Sequence, residues 1–488
     1  MEGKISVLTY AVRGRVVLKY CGQLALMLAI LTLAPLAVAL LQSEWAPALR
    51  YAVVCGGLLI AGTVMARLPA PDQIQDNEAL TITAAAFLFA PLCMSWPLLT
   101  AGMPYMDALF EVISGVTTTG LSTLGSIEHR SVTFLFARAW MQWYGGLGIV
   151  VLSVALLMGH QAAVRRLADP LESGETPLVA AHTHARHSLI IYLGLTALGL
   201  ILVWALTGDG FNALLHVLAA VSTGGFSSFD ASLAGLGTAA AVAVITISFL
   251  GAVSLPLYWR MLHAGWGRGV SAFFADIELR ALLAGGLLIG GLLSWLAWVH
   301  GSDAPWYHGL MMGFSAQTTT GFSSMPVSEM DSGSKLLMII SMLVGGSVGS
   351  TAGGFKLLRL LVLLRLFQTM INRLAMPPHA VVEPRLAGHK LATEDLLQAL
   401  QLILLFVGLI ALSWLPFVLY GYDPLDALFE VVSASATVGL STGISRPELE
   451  TVLKGILCFD MLAGRLEIIA LLVILYPRNW VGRREEIR

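Results

Sequence analysis

Long apolar runs, separated by short polar turns, follow one another along almost the whole chain. A helix that crosses a membrane needs about 20 mostly apolar residues, and ten runs approach or exceed that length. We therefore predict ten membrane-spanning helices. They lie at residues 17–41, 51–67, 79–99, 138–158, 188–207, 238–259, 281–300, 336–366, 395–420 and 453–476.

The composition supports this prediction. Of the 488 residues, 57% are hydrophobic and 12% are charged, and the mean hydropathy is +0.80. An ordinary soluble domain is about 25% charged, and its core could not enclose so many apolar side chains. The chain is therefore predicted to be an integral membrane protein.

The basic residues predict the orientation in the membrane. With the N-terminus placed in the cytoplasm, 21 of the 28 Lys and Arg residues face the cytoplasm, as the positive-inside rule requires. We expect both termini to be cytoplasmic, which demands an even number of spans. The first apolar run is too long for a signal peptide, so we interpret it as a retained helix.

One segment of 17 residues occurs four times. Residues 107–123 are DALFEVISGVTTTGLST and residues 426–442 are DALFEVVSASATVGLST, so 12 of 17 positions are identical. Two weaker copies lie between them, NALLHVLAAVSTGGFSS at 212–228 and HGLMMGFSAQTTTGFSS at 308–324. The four copies align without gaps and share a glycine, at Gly120, Gly225, Gly321 and Gly439.

Each copy lies between two predicted membrane helices. Its first part has about half the length of a membrane span, so it must enter the membrane and return. Such a backbone is tolerated where it lines a watery cavity or is buried in protein. We predict an all-α polytopic fold of four helix–pore-loop–helix units in a pseudo-fourfold arrangement around one pore, preceded by two extra N-terminal helices.

The pore loops offer hydroxyls and backbone carbonyls but no acid or base. Glycine lets a carbonyl turn inward without a Cβ clash, and rings of such oxygens can replace the water shell of a monovalent cation. The negative C-terminal ends of the short helices also favour a cation. The alternative is that these small residues only allow tight helix packing. The loop residues are Thr117, Thr118, Thr119, Gly120, Ser222, Thr223, Gly224, Gly225, Thr318, Thr319, Thr320, Gly321, Ala436, Thr437, Val438 and Gly439.

Four carboxylates lie early in the first and fourth short segments, Asp107, Glu111, Asp426 and Glu430. They either attract cations at the outer mouth or compensate helix N-termini. The other membrane acids are few and are expected near helix ends. This argues against a proton- or sodium-coupled secondary transporter, which usually carries acids on broken helices. No Ser/His/Asp or metal constellation at common depth indicates a membrane enzyme.

Residues 345–354, GGSVGSTAGG, interrupt the apolar run at 336–366. Each glycine in a helix interior costs about 1 kcal/mol, so five of them favour a break. Gly345, Gly349 and Gly353 also form a GxxxG pattern, which packs helices in membranes. The residues alone leave both a loop and a helix interface open.

Arg465 lies inside the last apolar run. A central charge costs about 2.5–3.5 kcal/mol on insertion scales. Asp460 and Glu467 fall on other faces of a helix at 100° per residue. Arg465 therefore either points to the pore or forms a salt bridge to another helix.

These features together resemble the Trk/Ktr/HKT superfamily of potassium transporters, and the two extra N-terminal helices resemble its bacterial TrkH type. The resemblance implies potassium uptake through a selectivity filter made of the sixteen loop residues. Gly120 at the first filter position implies a preference for potassium over sodium, and the transported potassium ion would be the only ligand. The implied potassium ligands are Thr118, Thr119, Thr223, Gly224, Thr319, Thr320, Thr437 and Val438. The implied gate is an intramembrane loop with its neighbours, Gly345, Gly346, Gly349, Gly353, Gly354, Lys356 and Arg465.

The same resemblance implies the partners and the location. We expect a homodimer in the bacterial inner membrane, regulated by a separate cytoplasmic nucleotide-binding subunit of the TrkA type. That subunit would dock on the basic cytoplasmic loops and the tail at residues 478–488. No GxGxxG follows a strand, so the chain itself is expected to bind no nucleotide, and we predict no nucleic-acid partner and no enzyme activity. A proton- or sodium-coupled symporter and a sodium-permeable relative remain alternatives.

We divide the chain into five parts. They are an N-terminal extension at 1–75, pore unit one at 76–165, pore unit two at 185–262, pore unit three with the glycine-rich loop at 278–372, and pore unit four with the tail at 393–488.

Overall fold

The computed structural model describes residues 11–71, 74–159, 177–377 and 384–480. Within these ranges it contains eighteen α-helices and one two-stranded antiparallel hairpin. The helices are α1 Gly14–Leu41, α2 Trp45–Ala66, α3 Asp76–Leu98, α4 Tyr105–Val116, α5 Val132–Gly159, α6 Pro177–Thr207, α7 Gly210–Val221, α8 Thr238–Ala252, α9 Leu255–His263, α10 Trp266–Ala275, α11 Ile277–Val299, α12 Pro305–Gln317, α13 Ser332–Val344, α14 Leu357–Leu374, α15 Thr393–Leu419, α16 Pro424–Ser435, α17 Thr451–Arg465 and α18 Ile469–Leu475. The strands are β1 Arg385–Leu386 and β2 His389–Lys390, and short 3-10 turns lie at Leu99–Ala101, Ser232–Gly235, Val327–Glu329 and Pro477–Asn479.

The repeated segments form the short helices α4, α7, α12 and α16, which we call the pore helices. Each pore helix follows one long helix and precedes another helix, as the predicted helix–pore-loop–helix unit requires. Each has 12 or 13 residues, about half a membrane span. The chain is therefore an all-α polytopic protein, and the ranges assigned above to its units remain our own division.

Six helices in the described residues are long and apolar enough to cross a membrane: α1, α2, α3, α6, α11 and α15. The predicted runs at 17–41, 281–300 and 395–420 correspond closely to α1, α11 and α15. The run predicted at 188–207 belongs to a longer helix, α6, which begins at Pro177.

The continuous spans predicted at 238–259 and 453–476 are wrong. The first is broken between α8 and α9, which meet at 85°. Pro256 stands in the first turn of α9, where its missing N–H removes no helical bond. The Leu255 amide next to it donates to the Gly349 carbonyl (3.1 Å). The second run is broken between α17 and α18, where Glu467 and Ile468 have positive φ.

The pore helices lie in the centre of the protein, surrounded by the longer helices. Phe110 on α4 and Phe429 on α16 are fully buried. Removing such a side chain typically costs about 3–5 kcal/mol. Because apolar side chains are buried all around the pore helices, their ends are held at fixed positions.

The N-terminal helices α1 and α2 form an antiparallel pair that packs beside the first unit. An added Cβ at Gly22 on α1 would lie 2.6 Å from the Ala66 amide nitrogen, so glycine permits their close approach. Arg13 joins this pair to α3, since its Nε lies 2.6 Å from Glu78 Oε1. The pair is therefore attached to the first unit at the side where the chain begins.

Candidate functional site

The four pore helices end at equivalent positions of the repeat and close in the same way. In the first unit, the Thr118 amide donates to the Gly115 carbonyl (3.0 Å) and the Thr119 amide to the Ser114 carbonyl (2.9 Å). This pair of bonds is the Schellman motif of helix C-termini, and the equivalent bonds recur in the other three units. The last helical residues are Val116, Val221, Gln317 and Ser435.

A threonine in the left-handed region follows in every unit. Glycine usually takes this position after a helix, because another residue there costs about 1–2 kcal/mol. Strain of this kind persists where the surroundings impose it, and it concentrates at functional sites. The φ angles are 52° at Thr118, 52° at Thr223, 53° at Thr319 and 51° at Thr437.

The repeated glycines bring the four loops into one closed ring. A Cβ added at Gly120 would overlap the Gly224 carbonyl oxygen of the second loop. The same relation connects Gly225 to Thr320, Gly321 to Val438, and Gly439 back to Thr119. Each glycine also has a φ between 74° and 96°. The loops therefore surround one axis in chain order, and only glycine allows each loop to approach the next so closely.

Hydroxyls of the loops are partly committed to each other. Thr117 Oγ1 lies 2.8 Å from Thr119 Oγ1 in the first loop, and Thr318 Oγ1 lies 2.8 Å from Thr320 Oγ1 in the third. All of these side chains are fully buried. Within the sixteen loop residues, all of which the structure describes, two buried hydroxyls have no hydrogen-bond partner, those of Thr118 and Thr437.

Residues 345–356 form a loop between α13 and α14. Gly345, Gly349 and Gly354 have φ of 70°, 73° and 71°, which no right-handed helix allows. The predicted break is therefore confirmed, and the alternative of a GxxxG helix interface is wrong. The loop leaves and rejoins almost at one point, because the Phe355 amide donates to the Leu343 carbonyl (3.0 Å).

This glycine-rich loop contacts the inner ends of three units. The Gly353 amide donates to Thr319 Oγ1 of the third pore loop (2.6 Å), and the Gly354 amide donates to the Ala436 carbonyl of the fourth (3.1 Å). Thr351 Oγ1 donates to the Val221 carbonyl at the end of α7 (3.0 Å). Since pore helices end at the deepest point of a re-entrant segment, the loop lies directly beneath the ring.

The described residues contain no group of three or more His, Cys, Asp or Glu side chains that could hold a metal ion. The oxygens of the ring are backbone carbonyls and hydroxyls. Such uncharged oxygens suit a monovalent cation that has lost its water shell.

Residues 67–480 match the family described as "TrkH: Cation transport protein". The chain belongs to the TrkH family.

Named relatives agree with this assignment. The chain is 30% identical to the Trk system potassium uptake protein TrkH of Halomonas elongata, over 96% of this chain and 99% of that protein. It is 30% identical to the protein of the same name from Escherichia coli, over 77% of this chain and 79% of that protein. It is also 30% identical to an uncharacterised cation transporter of Methanocaldococcus jannaschii, over 85% of each.

The fold also matches a solved TrkH structure. The crystal structure of the potassium transporter TrkH from Vibrio parahaemolyticus superimposes with a TM-score of 0.86 at 25% sequence identity. The match covers 96% of this chain and 99% of that chain. The TrkH fold therefore extends over the N-terminal helices as well as the four units.

Arg465 of this TrkH-family chain lies against the glycine-rich loop. It ends α17, is buried, and donates from Nη1 to the Thr351 carbonyl (2.8 Å). Its Nε and Nη2 have no partner among the described residues. No carboxylate among the described residues pairs with Arg465. Asp460 bonds Ser413 (2.6 Å), and Glu467 pairs with Arg359 (2.5 Å). The alternative of a salt bridge therefore has no support in the described residues.

Lys356 lies at the other end of the loop. Its φ is 73°, and its Nζ donates back to the Ala352 carbonyl within the loop. Arg359, three residues later, joins α14 to the break after α17 through Glu467 (2.5 Å). The loop is therefore tied on one side to its own unit and on the other to the fourth unit.

Three of the four early acids of the pore helices are paired with basic side chains rather than free at an outer mouth. Glu111 lies 2.9 Å from Arg138 Nε, Asp107 lies 2.5 Å from Lys454 Nζ, and Asp426 lies 2.7 Å from Lys335 Nζ. Lys454 belongs to the fourth unit and Asp107 to the first, so this pair also closes the ring. Glu430 lacks a basic partner in the described part of the chain and accepts Ser441 Oγ (2.8 Å) and the Thr442 and Ser445 amides.

Different residues cap the pore helices. Asp209 accepts the Phe211 (3.0 Å) and Asn212 (3.1 Å) amides at the start of α7, and Asp423 does the same at α16. The backbone and side-chain bonds from Asn212 lower the pKa of Asp209 below its ordinary value. Asp107 and Asp426 are therefore not the N-cap residues, but both lie in the first turn, where a carboxylate compensates the helix N-terminus as predicted.

Glycines of the outer helices allow the C-terminal ends of the pore helices to pack closely against them. A Cβ added at Gly145 on α5 would overlap the Val116 carbonyl, and one at Gly464 on α17 would overlap the Ser435 carbonyl. These glycines are distant from the repeat in sequence. The repeat pattern therefore does not predict them.

Two glutamines were missed by the sequence analysis. Gln142 on α5 donates to the Gly224 carbonyl and accepts the Phe226 amide (3.0 Å). Gln317 at the end of α12 donates to the Gly345 carbonyl (2.9 Å), so it joins the third pore helix to the glycine-rich loop. Each partner lies far away in sequence, and no local pattern predicts the contact.

Proposed function

We propose that this TrkH-family chain takes up potassium across the bacterial inner membrane through a channel-like selectivity filter. The closed ring of four pore loops, each glycine against the carbonyl of the next loop, is the observation that supports this function. The names of the Halomonas and Escherichia relatives also support potassium as the ion.

The proposed filter coordinates potassium with uncharged oxygens. These are backbone carbonyls and hydroxyls held by the repeated Schellman turns and left-handed threonines. Fixed oxygens replace the water shell of the ion at little reorganisation. The proposed ligands are Thr118, Thr119, Thr223, Gly224, Thr319, Thr320, Thr437 and Val438.

The proposed gate is the glycine-rich loop with Lys356 and Arg465. The loop contacts the inner ends of three units and would obstruct ions that leave the filter. The buried guanidinium of Arg465 adds an electrostatic barrier to a cation. Both the obstruction and the charge would have to move before ions pass.

Accumulation does not require a coupled ion. A membrane potential supplies about 2.3 kcal/mol per charge per 100 mV, which is enough for roughly fiftyfold accumulation of a monovalent cation. We further propose a homodimer with cytoplasmic termini, regulated by a separate nucleotide-binding subunit of the TrkA type. Part of the proposed docking surface, residues 481–488, lies outside the described residues.

One observation keeps a second candidate, a proton-coupled symporter. Asp460 is fully buried in the interior of α17, where Ser413 bonds Oδ1 and Oδ2 has no partner among the described residues. The expectation that membrane acids lie only near helix ends is therefore wrong. A buried acid of this kind is typical of proton-coupled proteins.

One experiment tests the proposed function. Purified protein is reconstituted in liposomes with an inside-negative membrane potential and no pH gradient, and the uptake of rubidium is compared with that of sodium. We expect uptake of rubidium well above that of sodium. Equal uptake of the two ions would contradict the filter, whereas uptake that requires an imposed proton gradient and is lost in Asp460→Asn would favour the symporter.

A further inference from the structure

The second pore loop differs from the others at the position before the shared glycine. Three loops carry a side chain there, and the second carries glycine. Gly224 does not have a positive φ, so the backbone does not require glycine at this point. The four residues are Thr119, Gly224, Thr320 and Val438.

The side chain of Gln142 fills the space beside Gly224. A Cβ built on Gly224 would lie 2.6 Å from Gln142 Oε1 and 2.7 Å from Nε2, so a side chain at 224 would have to displace the Gln142 amide and break its hydrogen bonds. Gln142 belongs to α5 of the first unit and is fully buried. Glycine at 224 is therefore explained by the glutamine from the neighbouring unit.

The amide of Gln142 holds the loop on both sides of its filter glycine. Nε2 donates to the Gly224 carbonyl, and Oε1 accepts the Phe226 amide (3.0 Å). In the described residues, no side chain donates to the equivalent carbonyls of the other three loops. Gln142 thus fixes one ring oxygen, the one that abuts Gly120 of the first loop.

The first and third loops achieve similar bracing within themselves. Their threonine hydroxyls pair at 2.8 Å, Thr117 with Thr119 and Thr318 with Thr320. The second loop has Ser222 at the first of these positions but no hydroxyl at Gly224. A hydrogen-bonding group is therefore supplied from outside at the place where the loop lacks its own.

Arg138, one turn earlier on α5, acts on the same segment. Its guanidinium lies 3.8 Å from the centre of the Phe226 ring, and Nη1 donates to the Ser227 carbonyl (3.2 Å). Side chains four residues apart share one face of a helix. One face of α5 therefore holds the second loop from Gly224 to Ser227.

We propose that Gln142 is a positioning residue of the selectivity filter. Although it belongs to the first unit, its amide takes the place of the side chain that the second loop lacks at Gly224. This proposal rests on the proposed function, since its consequence is ion selectivity. Without the amide, the Gly224 carbonyl loses its orientation, and the ring loses discrimination between potassium and sodium.

The first test uses Gln142→Met, which keeps about the same length of side chain but removes both the donor to the Gly224 carbonyl and the acceptor for the Phe226 amide. We expect the rubidium-to-sodium uptake ratio in liposomes to fall about tenfold. The control is Gln401→Met on an exposed part of α15, which should keep the wild-type ratio. An unchanged ratio in Gln142→Met would overturn the proposal.

The second test replaces the Gln142 amide with a hydroxyl on the second loop itself. Gln142→Ala alone leaves the loop unbraced and should lose selectivity. Gln142→Ala with Gly224→Thr places a hydroxyl beside Ser222, as in the first and third loops, and should recover the ratio to within about threefold of wild type. A double variant as unselective as Gln142→Ala would also overturn the proposal.

A second readout covers variants that transport poorly. Potassium bound to the folded filter raises the thermal unfolding temperature, so the shift caused by potassium over sodium is measured in detergent. It should shrink in Gln142→Met and return in the double variant, and an undiminished shift in Gln142→Met would contradict the proposal. If the wild-type protein is selective and the Gln142 variants are equally selective, only this inference is refuted. If the wild-type protein itself is unselective, the proposed function is refuted as well.

Discussion

The outer and inner halves of the four units differ in how much they share. At the pore loops all four units have the same helix end, the same left-handed threonine and the same glycine contact to the next loop. The helices that follow diverge. In the first unit, α5 is continuous. In the second unit, α8 and α9 meet at 85°. In the third unit, the loop 345–356 separates α13 from α14, and in the fourth a short break separates α17 from α18.

This difference teaches how one chain can combine two tasks. A ring around one axis requires four equivalent backbones, and the repeat supplies them. A gate beneath the ring needs only one movable element, so a single unit can carry it while the others provide its contacts. The structure therefore has a fourfold ring of pore loops above a glycine-rich loop that belongs to the third unit.

The largest expected effect comes from Gly321→Ser in the ring. A Cβ there would overlap the Val438 carbonyl, and φ is 82°, so the third and fourth loops must separate. We expect the rubidium-to-sodium uptake ratio to fall by about tenfold or more, which corresponds to about 1.4 kcal/mol or more of lost preference.

Gly408→Ser is the matched control. Gly408 lies in α15, has no atom within 4 Å of an added Cβ and does not have a positive φ. Its uptake ratio should equal that of the wild type. If Gly321→Ser kept the same ratio as this control, the third loop would not belong to the filter.

A smaller effect is expected from Arg465→Ala below the ring. The change removes a buried positive charge and the bond to the Thr351 carbonyl, so potassium uptake should rise several-fold while the ion preference is kept. Arg465→Gln retains a donor without the charge and separates the two causes. A folded Arg465→Ala protein with unchanged or lower uptake would argue against a barrier at this position.

The sequence predicted what is encoded locally. The repeat at 107–123 and its copies predicted four equivalent loops. Five glycines favoured a break at 345–354, although the residues alone left a helix interface open. Contacts between distant segments were not predictable in this way. Gln142 and Gly224 are 82 residues apart, and only the fold shows that one fills the space of the other.

The break after Arg465 shows a second limit. Residues 466–468 contain no glycine or proline, yet Glu467 and Ile468 have φ of 53° and 63°. A β-branched residue with positive φ is rare, and here tertiary contacts impose it. The Ile468 amide donates to the Ala463 carbonyl (2.8 Å), and Glu467 pairs with Arg359 (2.5 Å). Local propensity therefore predicted a continuous helix that the packing does not allow.

If the proposed filter and the proposed gate are separate, shortening the glycine-rich loop should change the rate of uptake but not the ion preference. The loop ends meet, because the Leu357 amide donates to the Gly346 carbonyl (3.0 Å) and Gly345 packs against Gly353 and Gly354. Deleting residues 347–352 can therefore rejoin the chain with little strain.

The measurement is rubidium and sodium uptake by the deletion variant in liposomes, after size-exclusion chromatography has shown monodisperse protein. We expect rubidium uptake about tenfold above wild type, with the rubidium-to-sodium ratio largely preserved. A monodisperse variant with no gain in uptake, or with rubidium and sodium taken up equally, would contradict the separation of filter and gate.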